Sequence, residues 1–201
     1  MCVIAVSPIG EKLSEEVFRQ MWEANDDGFG MMFRTRDGVG IVKGIMDPDE
    51  AWEHYASLPK GVPHVVHFRL ATHGGVRPEL THPFIVDERS PLYLQGVVHA
   101  PTLVHNGVWS LHEHKRKLVD LTGPVSDSRV LAAYIGARAR TRHALEEVIR
   151  EERPLIEMAG RVAIVDPERW RIYLLGNWTK EGNFLLSNTH FRARKWVRWV
   201  K

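Results

Sequence analysis

Cysteine is nearly absent from this sequence, which has one such residue, Cys2, among 201. A single cysteine cannot form an internal disulfide, so nothing here requires an oxidising compartment. Long apolar runs are also missing, because none approaches the ~20 residues needed to cross a bilayer. The first residues, MCVIAVSPIGEKL, lack the basic start and long apolar stretch of a signal peptide. Together these absences predict a soluble, cytoplasmic protein without a membrane partner.

The sequence also lacks an excess of charge of one sign. Lysine and arginine total 27 against 25 aspartates and glutamates, a formal net charge of +2 with the 11 histidines neutral. This balance argues against a chain built mainly to coat nucleic acid. Residues 190–201 interleave basic and aromatic side chains, a mixture that can bind single-stranded nucleic acid. A terminal strand with a charged outer face explains the same letters, and the balanced charge favours it.

The sequence does contain ample material for a core, since 44% of its residues are apolar. Apolar patterns predict helices at 14–24, 47–58, 142–150 and after Ser126. They predict strands at 3–6, 29–35, 39–45, 63–70, 92–98, 102–105, 108–110, 161–166, 170–175, 183–187 and 195–200. This order favours an α+β domain, with antiparallel sheet covered by helices. No repeat or domain linker is visible, so we expect residues 1–201 to form one domain.

Cys2 permits an unusual chemistry because of its position. Removal of Met1 would leave Cys2 with a free α-amino group, whose reference pKa is about 7.7–8.0. That amine can act as general base for the thiol of the same residue. A lone cysteine is also commonly a small buried hydrophobe, so position alone does not decide between the two interpretations.

Four further segments accompany Cys2: Asn25-Asp26-Asp27-Gly28-Phe29-Gly30, the stretch HFRLATHG at 67–74, His105-Asn106-Gly107 and Ser126-Asp127-Ser128. In identity and order they resemble the class II (Ntn-type) glutamine amidotransferases, which carry an N-terminal Cys, H-T-R-[WY]-A-T-H-G, H-N-G and S-D-T/S-E. Thr81-His82-Pro83-Phe84 is similar to the T/S-H-P-F stretch of small stand-alone members, including the ergothioneine-pathway amidohydrolases. The matching landmarks extend from residue 2 to about residue 135.

The resemblance implies a glutaminase that acts through a thioester. Cys2 would attack the glutamine side-chain amide, releasing ammonia, and water would then release glutamate. The side-chain amide of Asn106 and the backbone N–H of Gly107 would form the oxyanion hole. A glycine suits this place because it lets the backbone approach the substrate closely.

The resemblance also implies which residues bind the substrate. Arg69 would hold the α-carboxylate and Asp127 the α-ammonium. The same pocket would be lined by Thr72, His73 and Gly74. By the same resemblance, Gly28 and Gly30 would permit a tight loop beside the nucleophile.

Each of these residues also has an ordinary structural interpretation. Arg69 could be an edge or ion-pair residue, and Asn106-Gly107 is a common turn pair. Ser126-Asp127 could simply cap a helix, and Asp26 and Asp27 could be loop acids. The joint occurrence of the segments favours the functional interpretation.

The chain departs from the family pattern at three places: Phe68 replaces a small Thr, Leu70 a Trp or Tyr, and Arg129 a common Glu. Six histidines cluster in the middle of the chain, but on a strand His64 and His67 would point to opposite faces. We therefore expect no metal, and the resemblance implies no cofactor.

The family fold is a four-layer α-β-β-α sandwich of the Ntn-hydrolase type, with two antiparallel sheets. Since the sequence ends at residue 201, we expect any ammonia acceptor to be a separate synthetase subunit. Two other functions stay open. One is an amidohydrolase of a γ-glutamyl amide in a larger metabolite, and the other is a non-catalytic binding or regulatory protein on the same scaffold.

Overall fold

The computed structural model describes residues 1–139 and 142–192. Its helices are α1 (Glu15–Ala24), α2 (Pro48–Ser57), α3 (His112–Arg116), α4 (Asp127–Arg138), α5 (Arg142–Glu151) and α6 (Arg153–Glu157). Its strands are β1 (Val3–Ser7), β2 (Phe29–Arg34), β3 (Val39–Ile45), β4 (His64–Phe68), β5 (Phe84–Ile85), β6 (Gln95–Val98), β7 (Thr102–Gly107), β8 (Gly160–Asp166), β9 (Arg171–Leu175), β10 (Thr179–Glu181) and β11 (Phe184–Leu186). A short 3₁₀ helix covers Pro78–Leu80.

The strands form two antiparallel sheets. Across the described ranges, one sheet has 7 strands in the order β10-β11-β1-β4-β2-β3-β6, and the other has 4 in the order β5-β7-β8-β9. Every pairing within them is antiparallel. The first strand of the chain therefore lies inside the larger sheet, between β4 and β11.

Strand β1 shows why the sheets stack. Its alternate residues Val3 and Ala5 pack with α1 and α2, whereas Ile4 and Val6 pack against the smaller sheet. Such alternation with period two is what a strand covered on both faces requires. The outer face of the smaller sheet is covered by α4, α5 and α6. The layers therefore run α-β-β-α, which confirms the predicted α+β fold class.

Local signals explain where the helices begin. Ser14 accepts a hydrogen bond from the Val17 amide and starts α1, and Asp47 accepts bonds from two amides at the start of α2. Helix α1 then buries Phe18 and Met21 against the larger sheet. None of the helices within the described ranges has the length and apolar character needed to span a bilayer.

Several predicted elements need correction. The strand predicted at 92–98 is regular over Gln95–Val98 alone, and the strand predicted at 108–110 does not form. There Trp109 donates its amide to Asp127 and buries its ring, so the chain leaves the sheet after Gly107. Strands β5 and β10 and helix α6 were not predicted. The strand predicted at 195–200, with most of the basic aromatic segment 190–201, lies outside the described residues.

Candidate active site

Strand register brings the first site residues together. Val3 of β1 pairs with Phe68 of β4, and Phe68 also pairs with Phe29 of β2. Cys2 precedes Val3 and Arg69 follows Phe68, so both lie at the same ends of these two antiparallel strands. Gly28 stands opposite Arg69 and accepts a hydrogen bond from the Arg69 amide (2.8 Å). Neighbouring antiparallel strands thus assemble three segments that are far apart in the sequence.

The Cys2 thiol lies against the backbone of Leu70. Its sulfur accepts a hydrogen bond from the Leu70 amide (3.3 Å) and lies 3.5 Å from the Leu70 carbonyl oxygen. Burial raises the pKa of the thiol, with a further increase from Asp127; the Leu70 amide, the chain's amino terminus and Arg69 oppose the change. The thiol is therefore protonated at neutral pH unless a base removes its proton.

Arg69 is buried, and part of its guanidinium is free. Its Nη2 donates to the carbonyl oxygens of His73 (3.2 Å) and Gly75 (2.8 Å), which hold the group in place. Its Nη1 is buried and has no hydrogen-bond partner. An unpartnered buried N–H of a cation is costly unless it meets an acceptor, and a carboxylate is the strongest match.

Asp127 begins helix α4, where Ser126 is the N-cap and accepts from the Arg129 amide (3.2 Å). The carboxylate is buried, and its Oδ2 accepts the Trp109 amide (2.9 Å). Its charge acts on both Cys2 and Arg69. The capping interpretation of Ser126 is confirmed, and the cap leaves the Asp127 side chain directed inward. One buried anion and one buried cation thus lie within electrostatic reach of the sulfur.

Asn106 and Gly107 end strand β7 of the smaller sheet. Asn106 is fully buried; its Nδ2 donates to Ser187 Oγ (2.8 Å), while its Oδ1 has no partner. A Cβ on Gly107 would lie 1.8 Å from the Ala159 carbonyl oxygen. The close approach of the Ala159 backbone therefore requires glycine here, independently of any substrate.

Gly28 and Gly30 differ in their surroundings. Gly28 lies in the loop before β2 with φ of +117°, a conformation that favours glycine. Gly30 is a residue of β2 rather than of that loop, and a Cβ there would lie 1.9 Å from the His82 carbonyl oxygen. Gly28 therefore allows close packing of Thr81 against the loop, and Gly30 allows close packing of His82 against β2.

Asp27 is not an ordinary loop acid, because it makes two hydrogen bonds to the turn after β4. Its Oδ2 accepts the Ala71 amide (2.7 Å), and its own amide donates to the Arg69 carbonyl oxygen (3.0 Å). These bonds hold the turn after β4 from which the Leu70 amide reaches the sulfur. No sequence signal separated Asp27 from Asp26.

The remaining predicted pocket residues follow this turn. Thr72 and Gly74 are exposed, whereas His73 is half-buried. His73 packs edge-on against His112, with ring centroids 4.9 Å apart. A Cβ on Gly74, with φ of +80°, would lie 2.6 Å from Leu80 Cδ1 and from the Val125 carbonyl oxygen. Of these three, His73 is the one with a direct contact to Arg69, through its backbone oxygen.

Two departures from the family motif have structural explanations. Phe68 points into the helix-side core, with its ring 4.8 Å from that of Phe18, so it does not line the site. Arg129 donates to the carbonyl oxygens of Ser90, Thr122, Pro124 and Arg89 at 2.7–3.0 Å. It thus ties two loops to α4.

The histidines are mainly structural. His64 contacts the Tyr55 hydroxyl (3.1 Å) on the helix side of β4, and His67 donates to the His105 carbonyl oxygen (3.0 Å) on the other side. Burial lowers the pKa of His67 to about 3 and holds that of His82 well below its usual value, so both are neutral. The described residues contain no group of three or more His, Cys, Asp or Glu side chains that could hold a metal ion.

Two residues that sequence reasoning missed contact the site from the end of β11. Ser187 Oγ accepts from the Ile4 amide (2.9 Å) and from Asn106 Nδ2. Asn188 Nδ2 donates to the Cys2 carbonyl oxygen (2.8 Å). They lie beyond the segments that resemble the family, and a Ser-Asn pair after a short strand is too common to be a signal.

Comparison with known proteins bears on the fold. No protein-family model matches this chain. No curated protein sequence matches it either. Among solved structures, an allosteric regulatory enzyme of purine biosynthesis matches 92% of this chain at 17% identity, with a TM-score of 0.61. Glutamine phosphoribosylpyrophosphate (PRPP) amidotransferase from B. subtilis, complexed with ADP and GMP, matches 96% at 18% identity, with a TM-score of 0.56.

This chain has the Ntn-hydrolase fold. Its two stacked antiparallel sheets and covering helices are those of the two enzymes above, and it spans 41% and 43% of their lengths. The similarity concerns architecture, so the chemistry of this Ntn-hydrolase fold has to be argued from its own residues.

Proposed function

We propose that this chain hydrolyses the side-chain amide of glutamine through a γ-glutamyl thioester on Cys2. One observation carries the proposal: the sulfur of the only cysteine lies 3.3 Å from the amide that directly follows a buried arginine, and the Nη1 of that arginine has no hydrogen-bond partner. An amino acid substrate presents an α-carboxylate and an α-ammonium, and Arg69 and Asp127 complement those charges. The likeness in fold to a glutamine PRPP amidotransferase supports the same chemistry.

In the proposed first step, the thiol proton moves to the α-amine of Cys2, which becomes available once Met1 is removed. The thiolate adds to the amide carbon, and the oxygen becomes an oxyanion that Asn106 and Gly107 stabilise. The carbon–nitrogen bond then breaks, and the leaving nitrogen takes the proton from the α-ammonium and departs as ammonia. Water adds to the thioester, giving glutamate and regenerating the thiol.

The raised pKa of the Cys2 thiol is why a base is needed. With Met1 in place, the Cys2 nitrogen is an amide and cannot accept a proton. Cysteine is small, a property that suits removal of a preceding methionine. Intact mass spectrometry of the purified protein tests this step, and an active preparation that retains Met1 would contradict it.

We also propose a partner, a separate synthetase subunit that accepts the ammonia. The likeness in fold to an enzyme named as an amidotransferase supports a role beside an ammonia acceptor. Co-purification tests it, and a glutaminase recovered alone at native expression level would argue against it.

The central experiment measures ammonia and glutamate from glutamine, with γ-glutamyl amides of larger amines assayed in parallel. We expect wild-type turnover of glutamine and none above background for Cys2→Ala. Turnover of larger amides alone would favour the γ-glutamyl amidohydrolase. No turnover of any amide by protein lacking Met1 would favour a non-catalytic role.

A further inference from the structure

We propose that Ser187 is a positioning residue for the oxyanion hole, because it fixes the amide plane of Asn106. This inference rests on the proposed function and adds a residue from the C-terminal part of the chain, outside every segment that resembles the family. It follows from the contacts that the end of β11 makes with β1 and β7.

The Ser187 side chain is itself rigidly held. It is buried, and its backbone amide donates to the Ile4 carbonyl oxygen (3.0 Å) while its Oγ accepts the Ile4 amide (2.9 Å). Backbone and side chain thus both bind the same residue of β1. A side chain fixed in this way costs little further entropy when it orients a neighbour.

Asn106 depends on this hydroxyl. Its Nδ2 lies 2.8 Å from Ser187 Oγ, and this bond crosses from the smaller sheet to the larger one. Because an amide is planar, one bond from Nδ2 defines the direction of the second N–H on the same nitrogen. That second N–H is the one that the proposed mechanism gives to the oxyanion.

The same strand end also holds the nucleophile. Asn188 donates to the Cys2 carbonyl oxygen (2.8 Å), so adjacent residues contact the nucleophilic residue and the oxyanion donor. Oxyanion donors stabilise the transition state because they are already oriented before the reaction. Loss of one donor typically lowers the rate by about 10²–10³. Loss of the group that orients a donor should cost less, and it should affect turnover rather than substrate binding.

The test compares Ser187→Ala with Ser7→Ala in the full chain. Ser7 is a matched control, since it is a buried serine of β1 whose hydroxyl donates to the Glu11 carbonyl oxygen (2.7 Å), away from Asn106. We expect Ser187→Ala to lower kcat about tenfold or more with KM within about twofold, and Ser7→Ala to leave both unchanged. In an Asn106→Ala background, Ser187→Ala should cause little further loss of kcat.

A second measurement does not depend on turnover. Hydrogen exchange of the Asn106 side-chain amide can be followed by NMR, and its signals are identified by their absence in Asn106→Ala. We expect faster exchange in Ser187→Ala and wild-type exchange in Ser7→Ala. If the wild-type chain hydrolyses no amide, the proposed function fails, and exchange alone then decides whether Ser187 orients Asn106. Unchanged exchange, or unchanged kcat in an active enzyme, would overturn the inference.

Discussion

The Leu70 amide donates to the Cys2 sulfur across 3.3 Å, although 68 positions separate the two residues. Leu70 follows Arg69 directly, so one turn both contacts the Cys2 thiol and carries the arginine. Asp27 fixes that turn through the Ala71 amide. Any movement of the turn would therefore disturb the thiol and the guanidinium together.

The two buried charges near the sulfur should shift its titration in opposite directions. Arg69 lowers the pKa of the Cys2 thiol and Asp127 raises it. Arg69→Gln should therefore move the pH profile of thiol alkylation by iodoacetamide upward, and Asp127→Asn should move it downward. Mass spectrometry reports the rate without ambiguity, because Cys2 is the only cysteine. Equal profiles for all three proteins would show that these charges lie too far away.

Arg69→Lys should weaken substrate binding although the charge is kept. The guanidinium uses Nη2 for the His73 and Gly75 carbonyl oxygens and leaves Nη1 free, whereas lysine has one nitrogen for both tasks. We expect KM for glutamine to rise about tenfold or more, as a lost charged hydrogen bond predicts. Arg77→Lys, at an exposed position, is the control. An unchanged KM in Arg69→Lys would remove Arg69 from the binding site.

Gly107→Ala should destabilise the fold. The added Cβ would meet the Ala159 carbonyl oxygen at 1.8 Å, and this backbone atom, directly before the residue that pairs with Gly107, cannot move aside cheaply. We expect a loss of about 1–3 kcal/mol or more in the free energy of unfolding, measured by urea denaturation. A Cβ on Gly182 would meet no neighbouring atom within 4 Å, so Gly182→Ala should cost only ~1 kcal/mol, from the left-handed backbone conformation with φ of +57°. Equal losses would contradict the steric argument.

Lys43 should make stability depend on pH. It is buried, and in its protonated form its Nζ donates to the carbonyl oxygens of Glu79, Thr81 and Pro83 at 3.0 Å. Burial lowers the pKa of Lys43 to about 7 from 10.5. Between these values the unfolded chain binds a proton that the folded chain does not, so the free energy of unfolding rises with pH, by at most about 1.4 kcal/mol per pH unit.

Lys43→Met should remove this rise. Urea denaturation between pH 7 and 8.5 measures the slope of the free energy of unfolding against pH. Above this range Cys2 titrates, and its raised pKa makes the free energy of unfolding fall with pH. Exposed Lys60 supplies the control, and Lys60→Met should keep the wild-type slope. Parallel slopes for both variants would mean that Lys43 keeps its proton in the fold.

Much of this protein could be predicted from local patterns. The apolar runs of β1 to β4, the caps Ser14 and Asp47, and the α+β class follow from periodicity and from side chains that bind nearby amides. The roles assigned to Cys2, Arg69, Asn106 and Asp127 came from motifs and remain proposals. Strands β5 and β10 were missed because two or three residues are too few to show a period.

The sequence by itself determined which reactive groups the chain carries. These are one thiol, at residue 2, and a set of short motifs in a fixed order. The tertiary structure alone decided which of these groups lie near one another and which already have hydrogen-bond partners. It left Arg69 Nη1 without a partner, joined Ser187 to Asn106, and made Gly107 a packing requirement. The physical reason is that these contacts cross between strands distant in the chain, where register and sheet stacking, rather than local preference, set the distances.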